Sequence, residues 1–310
     1  MGENDKQFRV WHGIAALILA AAVIFVVSPI LAGRIGLYGT LIGEWLMLAA
    51  VVLLAVFSKR NPKIIFPFRK PTGAGIFGTV LMWVGSFLVE MTLVLCISIF
   101  FPEKVIGGNA GLSFVMLSVP FWAAVLIIAV TPAVCEEAVF RGVFFQSLNP
   151  KKNKWAAILI SGAVFGAFHG DAVRFVPTAI GGVVMAYIML ESGSMFYNCL
   201  FHFINNLLPL VLLFGMKDMY TQMGGYDVGS VQMGSMSVAS AGIYMAMCAI
   251  APACLYIGNY LLHSNIPGYR DTLFPSGRPG TVIALITVSA FLFIAGIVLA
   301  AVGLVGTIQG

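Results

Sequence analysis

Cys135-Glu136-Glu137-Ala138-Val139-Phe140-Arg141 places two adjacent carboxylates and a guanidinium inside an apolar stretch that runs from about 113 to 148. A charged group at the centre of a spanning helix costs about 2.5 to 3.5 kcal/mol on insertion scales, so such residues mark a functional site by default. The rest of the chain is consistent with that setting. Of its 310 residues 60% are apolar and 9% charged, far below the roughly 25% charge of soluble domains. This composition fits an all-α polytopic membrane protein, a bundle of 8–9 transmembrane helices around a polar intramembrane cavity.

Nine apolar stretches read as crossings: 10–32, 36–57, 74–100, 113–148, 155–169, 173–190, 194–214, 236–262 and 280–307. Most exceed the roughly 20 residues that a spanning helix needs; the fifth and sixth are short, as half-crossings or tilted inner helices would be. The N-terminal run before residue 10 is of mixed charge, and the apolar run after it is too long for a typical signal-peptide core, so the first helix reads as an uncleaved anchor. No internal repeat stands out. The organisation expected is one membrane domain, with N-terminal helices over 1–112, a core over 113–214, and a loop with C-terminal helices over 215–310.

Basic residues set the orientation through the positive-inside rule. With the N-terminus cytoplasmic, twelve fall on the inner side (Lys6, Arg9, Lys59, Arg60, Lys63, Arg69, Lys70, Lys151, Lys152, Lys154, Arg270 and Arg278). Four fall outside (Arg34, Lys104, Arg174 and Lys217), and Arg141 lies within the membrane. The net charge of +5 is then an orientation signal and implies no nucleic-acid partner. Cys96, Cys135, Cys199, Cys248 and Cys254 all lie in apolar stretches without a CxxC pair, which supports neither a disulfide framework nor a cysteine zinc site. The methionine- and glycine-rich interval 215–235 reads as an external loop. Pro120 and Pro132 predict a kink or break shortly before the two glutamates.

The neighbours of the two glutamates differ. Glu137 precedes Arg141 by four residues, the favourable orientation for a same-face ion pair, whereas Glu136 has Phe140 at that offset. Glu137 is therefore expected to be structural support for Arg141, and Glu136 to be free for proton transfer. Downstream, Phe165-Gly166-Ala167-Phe168-His169 and His202-Phe203-Ile204-Asn205-Asn206 add two imidazoles and an amide, with His202 and Asn206 on one helical face. At about 1.5 Å per residue all of these lie at similar depth. A carboxylate beside an imidazole can take a proton from water while a second imidazole and an amide donate to an oxyanion, a set suited to amide hydrolysis. The same groups, Glu136, His169 and His202, can instead hold a divalent metal such as zinc.

A competing reading joins Glu44 and Glu90 to the pair as a proton or ion relay in a transporter, or makes the cavity a binding site of a non-catalytic membrane partner. Neither glutamate has a basic or histidine partner within one helical turn, and no matched half-segments suggest inverted repeats. HExxH is absent. Ser161 lacks the preceding glycine of a rhomboid-like motif, and the Tyr226-Asp227 pair lies in a polar loop.

Taken together, EExxxR, FxxxH and HxxxN in this order resemble the CAAX protease and bacteriocin-processing family, also called Abi, over residues 113–214. The resemblance implies an intramembrane endopeptidase similar to type II CAAX prenyl endopeptidases. In it Glu136 and His169 would activate water, His202 and Asn206 would form the oxyanion site, and Glu137 and Arg141 would support the helix. It implies a peptide or protein substrate, prenylated or membrane-embedded, in contact with lipid, and the cell membrane of a prokaryote as the location. It leaves the choice between a glutamate-type and a metal-dependent mechanism open.

Overall fold

The computed structural model describes residues 9–59, 61–102, 104–105, 113, 115–150, 152–217, 238–264, 269, 272–274 and 279–309. Among them the regular structure is helical throughout. Eight helices are long and apolar enough to cross a membrane: α1 Val10–Ile35, α2 Leu37–Phe57, α3 Gly73–Phe100, α4 Phe121–Ser147, α6 Ala172–Ser192, α7 Met195–Gly215, α8 Val238–His263 and α9, whose apolar span is Pro279–Val305. Between α4 and α6 lies α5, Lys154–Ala167. The sequence predicts nine apolar crossings, but α5 has 14 residues. At about 1.5 Å per residue it falls short of the roughly 30 Å hydrocarbon core. Its partner α6, expected to be short, is full length. Most of the 215–235 loop lies outside the described residues.

Proline explains two irregularities. The apolar stretch 113–148 is not one helix: Pro120 takes an extended ψ of 150° as the N-cap, and α4 begins at Phe121. Pro132, in contrast, is carried inside α4. Its missing N–H is accommodated by widened, π-type turns over Val125–Val130, and a second such stretch spans Ala138–Phe144. Widened turns of this kind recur at functional sites. Here they flank Glu136 and Glu137 on both sides.

The described residues group into two compact units. The first contains α1, α2, α4, α5, the later part of α6 from Gly182, and α7. Its core has one cluster around Leu37, Ala123, Ala124, Ile127 and Leu210. A second surrounds Ala138, Phe145, Ala157, Ile158, Ala186, Met189 and Met195. Glycines set the close approaches. Gly36 takes φ +63° at the turn from α1 to α2, a conformation that L side chains rarely adopt. A Cβ on Gly182 would lie 2.9 Å from the Gly162 Cα, so α5 and α6 touch backbone to backbone.

The second unit contains α3, the start of α6, α8 and α9. Without a hydrophobic force between helices in lipid, small residues permit the packing that holds them. A Cβ on Gly78 would lie 2.6 Å from the Gly258 carbonyl oxygen, and one on Gly242 2.2 Å from the Ala300 nitrogen. Glu90 is buried in this unit and accepts from Ser86 Oγ at 2.5 Å. The large apolar side chains of α9, Ile286 and Phe291 among them, are exposed, as a lipid-facing helix requires.

The α5–α6 contact is testable. Gly182→Ala puts a methyl against backbone that cannot yield, and overpacking of that kind costs about 1 to 3 kcal/mol. A lower midpoint of thermal unfolding in detergent is expected, with Gly280→Ala, where a Cβ meets open space, as the control.

Candidate active site

The centre is built from α4 outward, within the first unit. Glu137 and Arg141 face the same side one turn apart, and both side chains have 0% exposure. Arg141 Nη1 donates to Glu137 Oε1 at 2.9 Å, and Arg141 Nη2 donates to the Gly182 carbonyl at 3.0 Å. The guanidinium carbon lies 4.4 Å from the centre of the Phe165 ring, a cation–π contact that gains weight where water is excluded. Gly182 thus serves twice: its missing side chain lets α5 approach, and its carbonyl takes the second arm of Arg141.

His202 comes from α7. Its Nδ1 lies 2.9 Å from Glu137 Oε1, and its ring meets Phe165 edge to face at 5.7 Å. A carboxylate only accepts, so Nδ1 carries the proton and donates, which leaves Nε2 as the atom that His202 offers to chemistry. That Nε2 is 4.0 Å from Glu136 Oε2. Glu136 keeps 17% of its side-chain surface exposed, whereas Glu137 has none. One carboxylate is committed to two cationic or donor partners; its neighbour remains open beside the imidazole.

Asn206, one turn beyond His202, donates through Nδ2 to the Ile128 carbonyl at 3.0 Å. In a regular α-helix that carbonyl would receive the N–H of residue 132, which is proline and has none. Asn206 satisfies the carbonyl and ties α7 to α4, and its amide keeps a second N–H. His169 follows Phe168 in the turn after α5, is half-buried, and belongs to the second unit. The structure therefore brings Glu136, Glu137, Arg141, His202 and Asn206 together in one unit, with His169 placed in the other.

Several contributors have no reading as site residues in the sequence. Phe165 packs against Arg141, His202 and Phe140; its place in FxxxH is the one signal for it. Asn198, buried on α7, donates to the Met185 carbonyl at 2.6 Å and fixes α7 on α6; a polar residue one turn before His202 was that signal. Among the described residues no group of three or more His, Cys, Asp or Glu side chains is gathered as a metal site, and no step below runs through a metal.

Crossing-length helices that bury a carboxylate, guanidinium and imidazole in mutual contact define a polytopic membrane protein with an ionic centre. Residues 118–208, from the turn before α4 through His202 and Asn206 in α7, match the family model described as Rce1-like, type II CAAX prenyl endopeptidase Rce1-like. This stretch is thus similar to that family, in agreement with the resemblance carried by the three motifs. No curated protein and no solved structure matches the chain.

Removing one member of a buried ion pair strands the other, which typically costs about 3 to 5 kcal/mol. Glu137→Gln and Arg141→Met are each expected to lower the thermal unfolding midpoint strongly. The double substitution should cost less than the sum of the two, because neither charge is then left alone. Additive losses would show that the pair is not coupled.

Proposed function

We propose that the chain is an intramembrane endopeptidase that uses Glu136 to activate water. The observation that carries this reading is the contrast between the two glutamates. Glu137 locks His202 through Nδ1, and Glu136, partly open, stands 4.0 Å from the remaining Nε2. Glu136 takes a proton from water as the water oxygen bonds to the carbonyl carbon of the scissile peptide. The second N–H of Asn206 donates to the oxyanion, and His202, held by Glu137 through Nδ1, lines the same site. The proton held on Glu136 passes to the leaving nitrogen, the C–N bond breaks, and a carboxylic acid and an amine are released. His169, which the family resemblance assigns to water activation, is the second imidazole of this reading.

The substrate is a peptide or protein that reaches the centre from the membrane, and the family description makes a prenylated C-terminal tail the first candidate. An apolar groove of about 200 Å³ between α4 and α7, lined by Val130, Ala133, Val134, Phe196, Leu200 and Phe203, supports an apolar substrate element. Ala133 lies one turn before Glu137, and Cys199, also in its lining, nearly one turn before His202. The distribution of basic residues supports a cytoplasmic N-terminus.

Purified protein incubated with prenylated and unprenylated peptides ending in a CAAX sequence, with products read by mass spectrometry, tests the reading. Glu136→Gln is expected to lower kcat by about 10² to 10⁴ with an unchanged unfolding midpoint. Turnover retained by that variant sinks the glutamate mechanism. Chelation before the assay separates the two mechanisms: a glutamate-type centre keeps its rate, and one in which Glu136, His169 and His202 hold a metal loses it.

A further inference from the structure

Glu44, on α2, lies outside the stretch that matches the family. It is buried to 9% exposure in the first unit, and its Oε2 has no hydrogen-bond partner among the described residues. A buried carboxylate oxygen without a donor is costly, and such groups are normally satisfied by protein or by ordered water. The register of α2 shows which surface this oxygen meets. Leu41, three residues before Glu44, packs against the Ala123, Ala124 and Ile127 cluster, and Leu48, four residues after it, packs against the Ala138 and Phe145 cluster. Residues 41, 44 and 48 share one helical face. Glu44 therefore stands opposite α4 between Ile127 and Ala138, the interval that contains Glu136.

The placement has a structural cause. Gly39 and Gly43 lie on the neighbouring face of α2, where a Cβ would fall 2.3 Å from Ala32 N and 2.9 Å from Ser28 Oγ of α1. That close approach fixes the rotation of α2 and turns Glu44 towards α4. A water molecule that donates one hydrogen to Glu44 and the other to Glu136 satisfies both carboxylates.

We propose that Glu44 is a further catalytic carboxylate of this centre: its Oε2 accepts the second hydrogen of the nucleophilic water while Glu136 takes the first. The inference rests on the endopeptidase reading above. Glu44 orients the water oxygen's lone pair towards the substrate carbonyl carbon and undergoes no net proton transfer. The proton removed by Glu136 still leaves on the amine.

Glu44→Gln keeps the shape but presents an amide N–H that can donate to Glu136 directly and displace the water. In the peptide-cleavage assay this variant is expected to lower kcat at least tenfold with KM within twofold and an unchanged unfolding midpoint. Glu44→Gln combined with Glu136→Gln should be no slower than Glu136→Gln alone, since both act on one water. Wild-type turnover by a folded Glu44→Gln protein overturns the role of Glu44 and leaves the endopeptidase reading intact. If Glu44 only holds α2 against α4, Glu44→Gln keeps its rate while Glu44→Leu loses thermal stability. Failure of the wild-type protein itself to cleave the peptides overturns the endopeptidase reading, and the water role with it.

Discussion

One carboxylate oxygen, Glu137 Oε1, receives both Arg141 Nη1 and His202 Nδ1 at 2.9 Å, and the rest of the centre is arranged around that bridge. A guanidinium within the apolar interior is tolerable only with its charge balanced. Glu137 supplies the balance, the Gly182 carbonyl engages the second arm, and the Phe165 ring covers the face. Those contacts draw α5, α6 and α7 onto α4. The charge that is expensive to insert is thereby the reason four segments meet, and the imidazole that meets them arrives with one tautomer fixed.

The backbone irregularities belong to the same arrangement. Pro132 removes the donor due to the Ile128 carbonyl, and an unsatisfied carbonyl within a bilayer is costly. Asn206 fills the gap from α7, one turn from His202, so the proline that disturbs α4 also fixes the height at which α7 binds it. The widened turns over Val125–Val130 and Ala138–Phe144 lie on either side of the short regular stretch that holds Glu136 and Glu137. These two residues keep regular helical spacing while the helix adapts around them.

Same-helix relations were legible in the sequence, and relations between helices were not. The Glu137–Arg141 pair follows from a spacing of four, and the crossings follow from apolar length. Spacing says nothing about partners 65 positions apart, so the sequence assigns His202 to an oxyanion site without its bond to Glu137. Nor does hydropathy separate α5 from a crossing, because its 14 residues are as apolar as a spanning helix and only their number disqualifies them. The rotation of each helix about its axis was the other missing quantity. It is set by backbone contacts at glycines such as Gly182 on Gly162 and Gly43 on Ser28, which carry no periodic hydrophobic signal. Glu44 therefore looked isolated, because spacing along α2 does not show which helix its face meets.

The bridge at Glu137 also constrains how this centre can vary. Because the oxygen that balances Arg141 is the one that orients His202, a change that loosens the ion pair also frees the imidazole, and stability and imidazole geometry are lost together. Glu136 carries no such double duty. It contacts His202 only at 4.0 Å, keeps part of its surface open, and lies a turn away from Phe140 rather than from a charge. The adjacent glutamates thus separate a fixed electrostatic frame from an adjustable carboxylate, and only the second can change its protonation without dismantling the packing of α5, α6 and α7 on α4.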